Sequence, residues 1–246
     1  MTNSLLNVLV TRPMPSGEKL AESITRRLAE KVATTIVYPL FRYQPNQDAE
    51  VPTKAGVFIF VSVAAVQCAQ QRLPLSDWPM TQVFAIGDAT ANALAQCGIQ
   101  CLSPTQQNSE GLLAMPQIDA LSNTPIYIVR GEAGRELLFE RLTAKNNLVS
   151  YIESYAKDWQ QIHENDVKNW YIEGINCIVV TSEHMLNHLF KALQYSEYKA
   201  YWLTDCQIVV PSKRILNAAN SMGFKQVSVA NGASDEAICK QLAMIG

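Results

Sequence analysis

Two uninterrupted apolar runs, each closed by a hydroxyl side chain, stand 120 positions apart: Val57-Phe58-Ile59-Phe60-Val61-Ser62 and Cys177-Ile178-Val179-Val180-Thr181-Ser182. A second echo follows at an offset of 125, where Ala85-Ile86-Gly87 with Gly98 and Ser109 is answered by Val210-Pro211-Ser212 with Gly223 and Ser234. Each echo predicts a strand buried on both faces, a short polar turn and a helix. Strands are expected at 57–61, 83–86, 100–102 and 126–129, alternating with helices at 64–72, 89–96, 110–115 and 135–145. The pattern resumes with strands at 177–180, 207–210 and 226–229 and helices at 183–193, 213–222 and 234–243. A polar, helical-looking connection over 158–173 precedes this second set.

At the start, a strand at 7–10 leads into a helix over 17–30, where Leu20, Ile24 and Leu28 recur at every fourth position. The middle block holds four strand–helix units and the C-terminal block three, so assigning the N-terminal unit to the C-terminal lobe equalises the two. The expected fold is therefore α/β: two similar three-layer α/β/α lobes with parallel sheets, the N-terminal βα unit swapped into the C-terminal lobe. Lobe 1 takes residues 1–35 and 160–246, and lobe 2 takes 46–147. The chain then crosses twice, through 36–45 and 148–159, two extended aromatic segments that can pair as a two-stranded β-ladder hinge. Pro39 lacks the N–H that a central strand needs, which suits the first of these to an edge or a connecting ribbon. Two such lobes leave a cleft, where function is to be sought.

Composition narrows the classes. Of 246 residues, 48% are hydrophobic and 17% charged, as in an ordinary folded protein. A formal net charge of −2 gives no global field toward nucleic acid or an anionic membrane. Residues 1–7 carry no cationic segment of the secretory kind, and the apolar run at 57–66 is too short to span a bilayer. The six cysteines form no Cys-x-x-Cys pair and read as reduced, packed thiols, so the cytoplasm is the expected compartment.

In open parallel sheets, ligands sit beyond the carboxyl ends of the strands, where helix N-termini present free N–H groups and a positive dipole. Four turns qualify: those of Ser62 and Ser182, the Gly87-Asp88-Ala89-Thr90 helix start, and Arg130-Gly131-Glu132-Ala133-Gly134-Arg135, whose two arginines suit a carboxylate or phosphate. Each also has a plainer reading, as an N-cap, an ordinary helix start or a solvated charge. His184 and His188 share a helix face without an evident third ligand, so no metal is expected. Tyr38, Tyr43, Tyr151 and Tyr155 on the ribbons can face the cleft and donate a proton, or can pack between ribbon and lobe. No dinucleotide fingerprint, Walker loop or serine-hydrolase elbow occurs.

Taken in order, Val8-Leu9-Val10-Thr11-Arg12-Pro13, Phe60-Val61-Ser62, Phe84-Ala85-Ile86-Gly87-Asp88-Ala89-Thr90, Val129-Arg130-Gly131 with Gly134-Arg135-Glu136-Leu137, the 151–155 ribbon and Val180-Thr181-Ser182 resemble the uroporphyrinogen-III synthase family. The resemblance runs over essentially the whole chain. It implies a hydroxymethylbilane substrate, loss of its terminal hydroxyl as water, inversion of ring D through a spiro intermediate and closure of the macrocycle, with no cofactor and no metal. It further implies Tyr155 as the hydroxyl that assists water loss, Ser62, Thr90 and Ser182 as contacts for carboxylates, and Arg12 and Arg130 at strand ends. Gly87 is expected to let substrate approach the backbone, and Gly131 to bind substrate as part of the arginine-flanked turn. At the late turn, where many members carry Gly-Pro-Thr-Thr, this chain has Ser212-Lys213-Arg214-Ile215. Ser212 and Lys213 are candidate substrate contacts there, with Lys213 or Arg214 supplying the anion contact, and a turn that binds nothing is the alternative. The expected partner is the polycarboxylate substrate on a monomeric protein, with a transient contact to the preceding pathway enzyme left open. A non-catalytic two-lobe protein that binds a tetrapyrrole or other polycarboxylate is the second reading.

Overall fold

The first strand, β1 (Leu6–Val10), is almost wholly buried and sits inside a sheet rather than at its edge. The computed structural model describes residues 5–132 and 134–245, so Ala133 of the Arg130–Arg135 turn lies outside the described residues. After α1 (Ser16–Arg27) the chain forms β2 (Val32–Val37) and β3 (Phe41–Pro45). Then come β4 (Gly56–Phe60), α2 (Val63–Arg72), β5 (Met80–Ala85), α3 (Asp88–Gln96), α4 (Ser109–Leu113), α5 (Pro116–Asp119), β6 (Pro125–Gly131), α6 (Leu137–Thr143) and β7 (Leu148–Trp159). The last third runs α7 (Glu164–Ile172), β8 (Cys177–Val179), α8 (Glu183–Leu193), α9 (Lys199–Thr204), β9 (Gln207–Val210), α10 (Lys213–Ser221), β10 (Val227–Val229) and α11 (Asp235–Leu242).

The strands form two five-stranded sheets, ordered β10-β9-β8-β1-β2 and β3-β7-β6-β4-β5. Every pair in the first is parallel, with Val8 opposite Cys177 on one side and Thr35 on the other. The N-terminal βα unit thus completes the C-terminal sheet, and the fold is the two-lobed α/β arrangement read from the unit count. By its internal contacts the chain divides into Met1–Arg42 with Trp159–Gly246, and Tyr43–Asp158.

In the second sheet β4 pairs in parallel with β5 and β6, and β6 with β7. All five residues of β4 are buried because both faces of this sheet are covered. Phe58 and Phe60 pack with Val83, Ala85, Tyr127 and Val129 on one side, while Val57 and Ile59 pack with Phe84, Ile126 and Ile128 on the other.

The ribbons differ from their sequence reading. The 36–45 segment is divided: β2 is a parallel edge strand of the first sheet, and only β3 joins the second, with Pro39 between them where a ladder N–H is missing. The 148–159 segment is one twelve-residue strand, β7, that is also a full member of the second sheet. Gln160 N–H donates to the Leu40 carbonyl (2.9 Å) and Asn46 N–H to the Ser154 carbonyl (2.9 Å), which runs β3 antiparallel to β7. The strand expected at 100–102 shrinks to a single bridge between Phe84 and Leu102.

Candidate active site

In the Tyr43–Asp158 unit, the chemistry gathers at the carboxyl ends of β4 and β6. A register shift between Arg130 and Gly131 sets Gly131 opposite Tyr155 on β7. A Cβ at 131 would stand 2.4 Å from Tyr155 Cε2 and 2.5 Å from Cζ, so the ring lies directly on the glycine backbone. The Tyr155 hydroxyl is 3.4 Å from Ser62 Oγ, and either can donate. Ser62, at the end of the β4 run, caps α2 by accepting from the Ala65 N–H (3.0 Å). Tyr43 meets Tyr155 edge-on, with ring centroids 5.0 Å apart at 82°. Burial, and then the nearby Tyr155, push the Tyr43 phenol up to about 12. One position before Tyr155, the buried Ser154 hydroxyl lies 3.3 Å from the Ala65 carbonyl and 3.2 Å from that of Arg130, tying β7 to α2 and β6 together.

The arginines of the 130–135 turn do not converge. Arg130 is buried, stacked 4.3 Å over the Tyr151 ring, and donates to Glu136 Oε1 (3.0 Å) and to the Gly131 carbonyl (3.2 Å). Tyr151 donates to the other Glu136 oxygen at 2.5 Å. Those bonds, Tyr151 first and Arg130 second, hold the Glu136 carboxyl below its usual range, while burial and Glu136 raise Tyr151 to about 12. Arg135 precedes α6 instead of opening it and pairs with Glu110 at 2.7 Å. At the α3 start, Gly87 is the N-cap and Thr90 is buried in the first turn. The Gln107 side chain already occupies that turn, accepting from Asp88 N–H (3.3 Å) and donating to the Asp88 carboxylate (2.5 Å).

The other unit repeats the design. Ser182 caps α8 by accepting from Met185 N–H (3.2 Å). Arg12, also buried, donates to Asp235 Oδ1 at 2.5 Å and to the Ala233 carbonyl, so its charge is spent at the start of α11. Glu183 pairs with Arg214, which removes one of the two cations of the late turn. Ser212 sits at the α10 N-cap without a side-chain capping bond, and Lys213 beside it is exposed. Of the remaining candidates, Tyr38 donates to Asp166 (2.9 Å) and packs edge-on against Trp170. The His188 ring lies against Trp159 and meets the Gln160 carbonyl at 2.7 Å.

Sequence reasoning does not find Gln107, Glu136, Ser154 or Asp235. The available signal was the recurrence of acids at helix starts, which near strand-end arginines become counter-ions instead of merely dipole partners.

Known proteins resemble the chain along its whole length. The family model described as Uroporphyrinogen-III synthase HemD matches residues 22–240. Proteins named uroporphyrinogen-III synthase from Salmonella typhimurium and from Escherichia coli K12 are each 32% identical over 254 residues, covering 96% of this chain and all of theirs. Among solved structures, uroporphyrinogen-III synthetase from Helicobacter pylori matches with a TM-score of 0.65 at 12% identity, covering 98% of this chain and 99% of that one. A mutant uroporphyrinogen III synthase from Thermus thermophilus gives 0.55 at 14% identity, over 97% and 99%. At such identities the two structures speak for the fold.

Proposed function

The chain belongs to the uroporphyrinogen-III synthase family, and from that premise we propose how its residues carry the family's reaction. That reaction is the cyclisation of hydroxymethylbilane to uroporphyrinogen III in tetrapyrrole biosynthesis, a cyclising dehydration. Tyr155 gives its phenolic proton to the terminal hydroxyl, which leaves as water while the adjoining electron-rich pyrrole supplies the electrons. The cation so formed is attacked by the substituted carbon of ring D, and the spiro intermediate opens and recloses with that ring inverted. A proton shed from the closing pyrrole carbon restores the phenol, so the enzyme ends unchanged. The remaining work is geometric, holding a flexible polyacid in the pose that directs attack. The observation that carries this reading is the placement of the Tyr155 hydroxyl at the carboxyl ends of β4 and β6, beside a helix start.

The carboxylates of the substrate are assigned to helix N-termini and hydroxyls rather than to the buried arginines. In one unit these are the Gly131 turn and, in competition with the Gln107 side chain that fills it, the turn of Gly87 and Thr90; in the other they are Ser182, Ser212 and Lys213. Arg12 and Arg130, each neutralised by an acid, shape the turns. Six free thiols, four of them buried, support a reducing cytoplasmic setting.

Incubation with freshly generated hydroxymethylbilane tests the reading: the type III isomer is expected, and the spontaneous type I isomer alone would end it. Uroporphyrinogen III bound without any cyclisation would mark a binding protein instead. Replacing Tyr155 by Phe is expected to slow turnover by about ten- to a hundredfold.

A further inference from the structure

We propose that Ser62 is a positioning residue for Tyr155, its hydroxyl donating to the phenol oxygen as that oxygen gives up its proton. The inference rests on the reading of Tyr155 above and changes what Ser62 is for. A serine hydroxyl has one proton to give and lone pairs to receive. At Ser62 one lone pair is engaged by the Ala65 N–H at 3.0 Å, which leaves its proton free to turn toward the phenol oxygen 3.4 Å away. While Tyr155 is neutral, either hydroxyl can donate to the other. Once the phenol proton has passed to the departing hydroxyl, the phenolate can only accept, and Ser62 is the donor that faces it.

The acceptor bond from Ala65 matters for the same reason. It links Ser62 to the first turn of α2, so the positive end of that helix bears on the phenolate through the serine. The surroundings over-determine the placement. Gly131 lets the ring rest on backbone, Tyr43 closes its edge, and Ser154 fastens β7 to the Ala65 carbonyl of the same turn. A hydrogen bond to a charged partner is stronger than one between neutral groups, so the contact tightens as charge develops. That behaviour raises turnover without raising ground-state affinity.

The test is a double-mutant cycle. Ser62→Gly keeps a residue tolerated at helix starts while removing the hydroxyl, and Ser62→Thr keeps both cap and hydroxyl. Ser62→Gly is expected to lower kcat about tenfold at unchanged KM, Ser62→Thr to stay near the parent, and Ser62→Gly to cost nothing further in the Tyr155→Phe background. A raised KM at constant kcat, an unchanged kcat in Ser62→Gly, or an equal loss in both backgrounds would each overturn the proposal. Should the parent protein yield only the type I isomer, the reading of Tyr155 fails. Type III from the parent with independent losses sinks the Ser62 role alone.

Discussion

Gly131 shows how an absent side chain can set the position of a present one. Any Cβ there enters the Tyr155 ring, so Gly131→Ala must displace either the ring or the end of β6. Overpacking of this kind costs about 1–3 kcal/mol, and urea unfolding of the variant is expected to show it together with reduced turnover. Glu136 makes a pH prediction. Its carboxyl is held low by Tyr151 and Arg130, so its contribution to stability is complete above the ordinary carboxylate pKa and fades as the pH falls through the lowered value. The stability gap between the parent and Glu136→Gln is therefore expected at neutral pH and should close on acidification, as denaturant titrations across pH would record. Ser62 and Tyr155 were legible as candidates because a hydroxyl after an apolar run, and a tyrosine on a crossing strand, stand out in one dimension. Their proximity was not, because it depends on a one-residue register shift beside Arg130.

At the level of elements the internal echo holds where backbone chemistry demands it. Ser62 and Ser182 make the same cap, each accepting from the N–H three residues on. Gly98 and Gly223 follow α3 and α10 with φ of 76° and 100°, a conformation that closes helices and favours glycine. The echo slips at Ser109, where Asn108 is the cap, whereas Ser234 caps α11 itself. Short elements escaped the periodicity reading for want of length: α9 has six residues and α5 four, too few for a repeat to declare itself. The division of 36–45 into β2 and β3 was half legible, since Pro39 marks the break but nothing local says which sheet takes each part. α10 carries its own prediction. Its first turn has no acid and Ser212 makes no capping bond. Ser212→Asp should stabilise the helix by about 0.3–1 kcal/mol in thermal unfolding. It should also raise KM, because the new charge repels the carboxylates assigned to that turn.

For the whole molecule, the decisive inference was arithmetic: an unequal count of strand–helix units that only an N-terminal swap could balance. Its consequence is testable with fragments. Residues 41–159 contain every strand of the second sheet and both of its buried faces, and are expected to unfold cooperatively on their own by far-UV circular dichroism. Residues 160–246 lack β1 and β2, with β8 left as an apolar edge, and are expected to stay unfolded. The same topology orders events on the ribosome. β1, which lies between β2 and β8, emerges almost first, yet its second neighbour is made roughly 140 residues after its first, about 7–28 s at ordinary elongation rates. Through that interval Val8, Leu9 and Val10 have only one partner strand, while the inserted unit acquires all of its strands before β8 is made. The nascent chain therefore finishes its middle before its beginning, and the early strand pair is the stretch for which a chaperone has most to do.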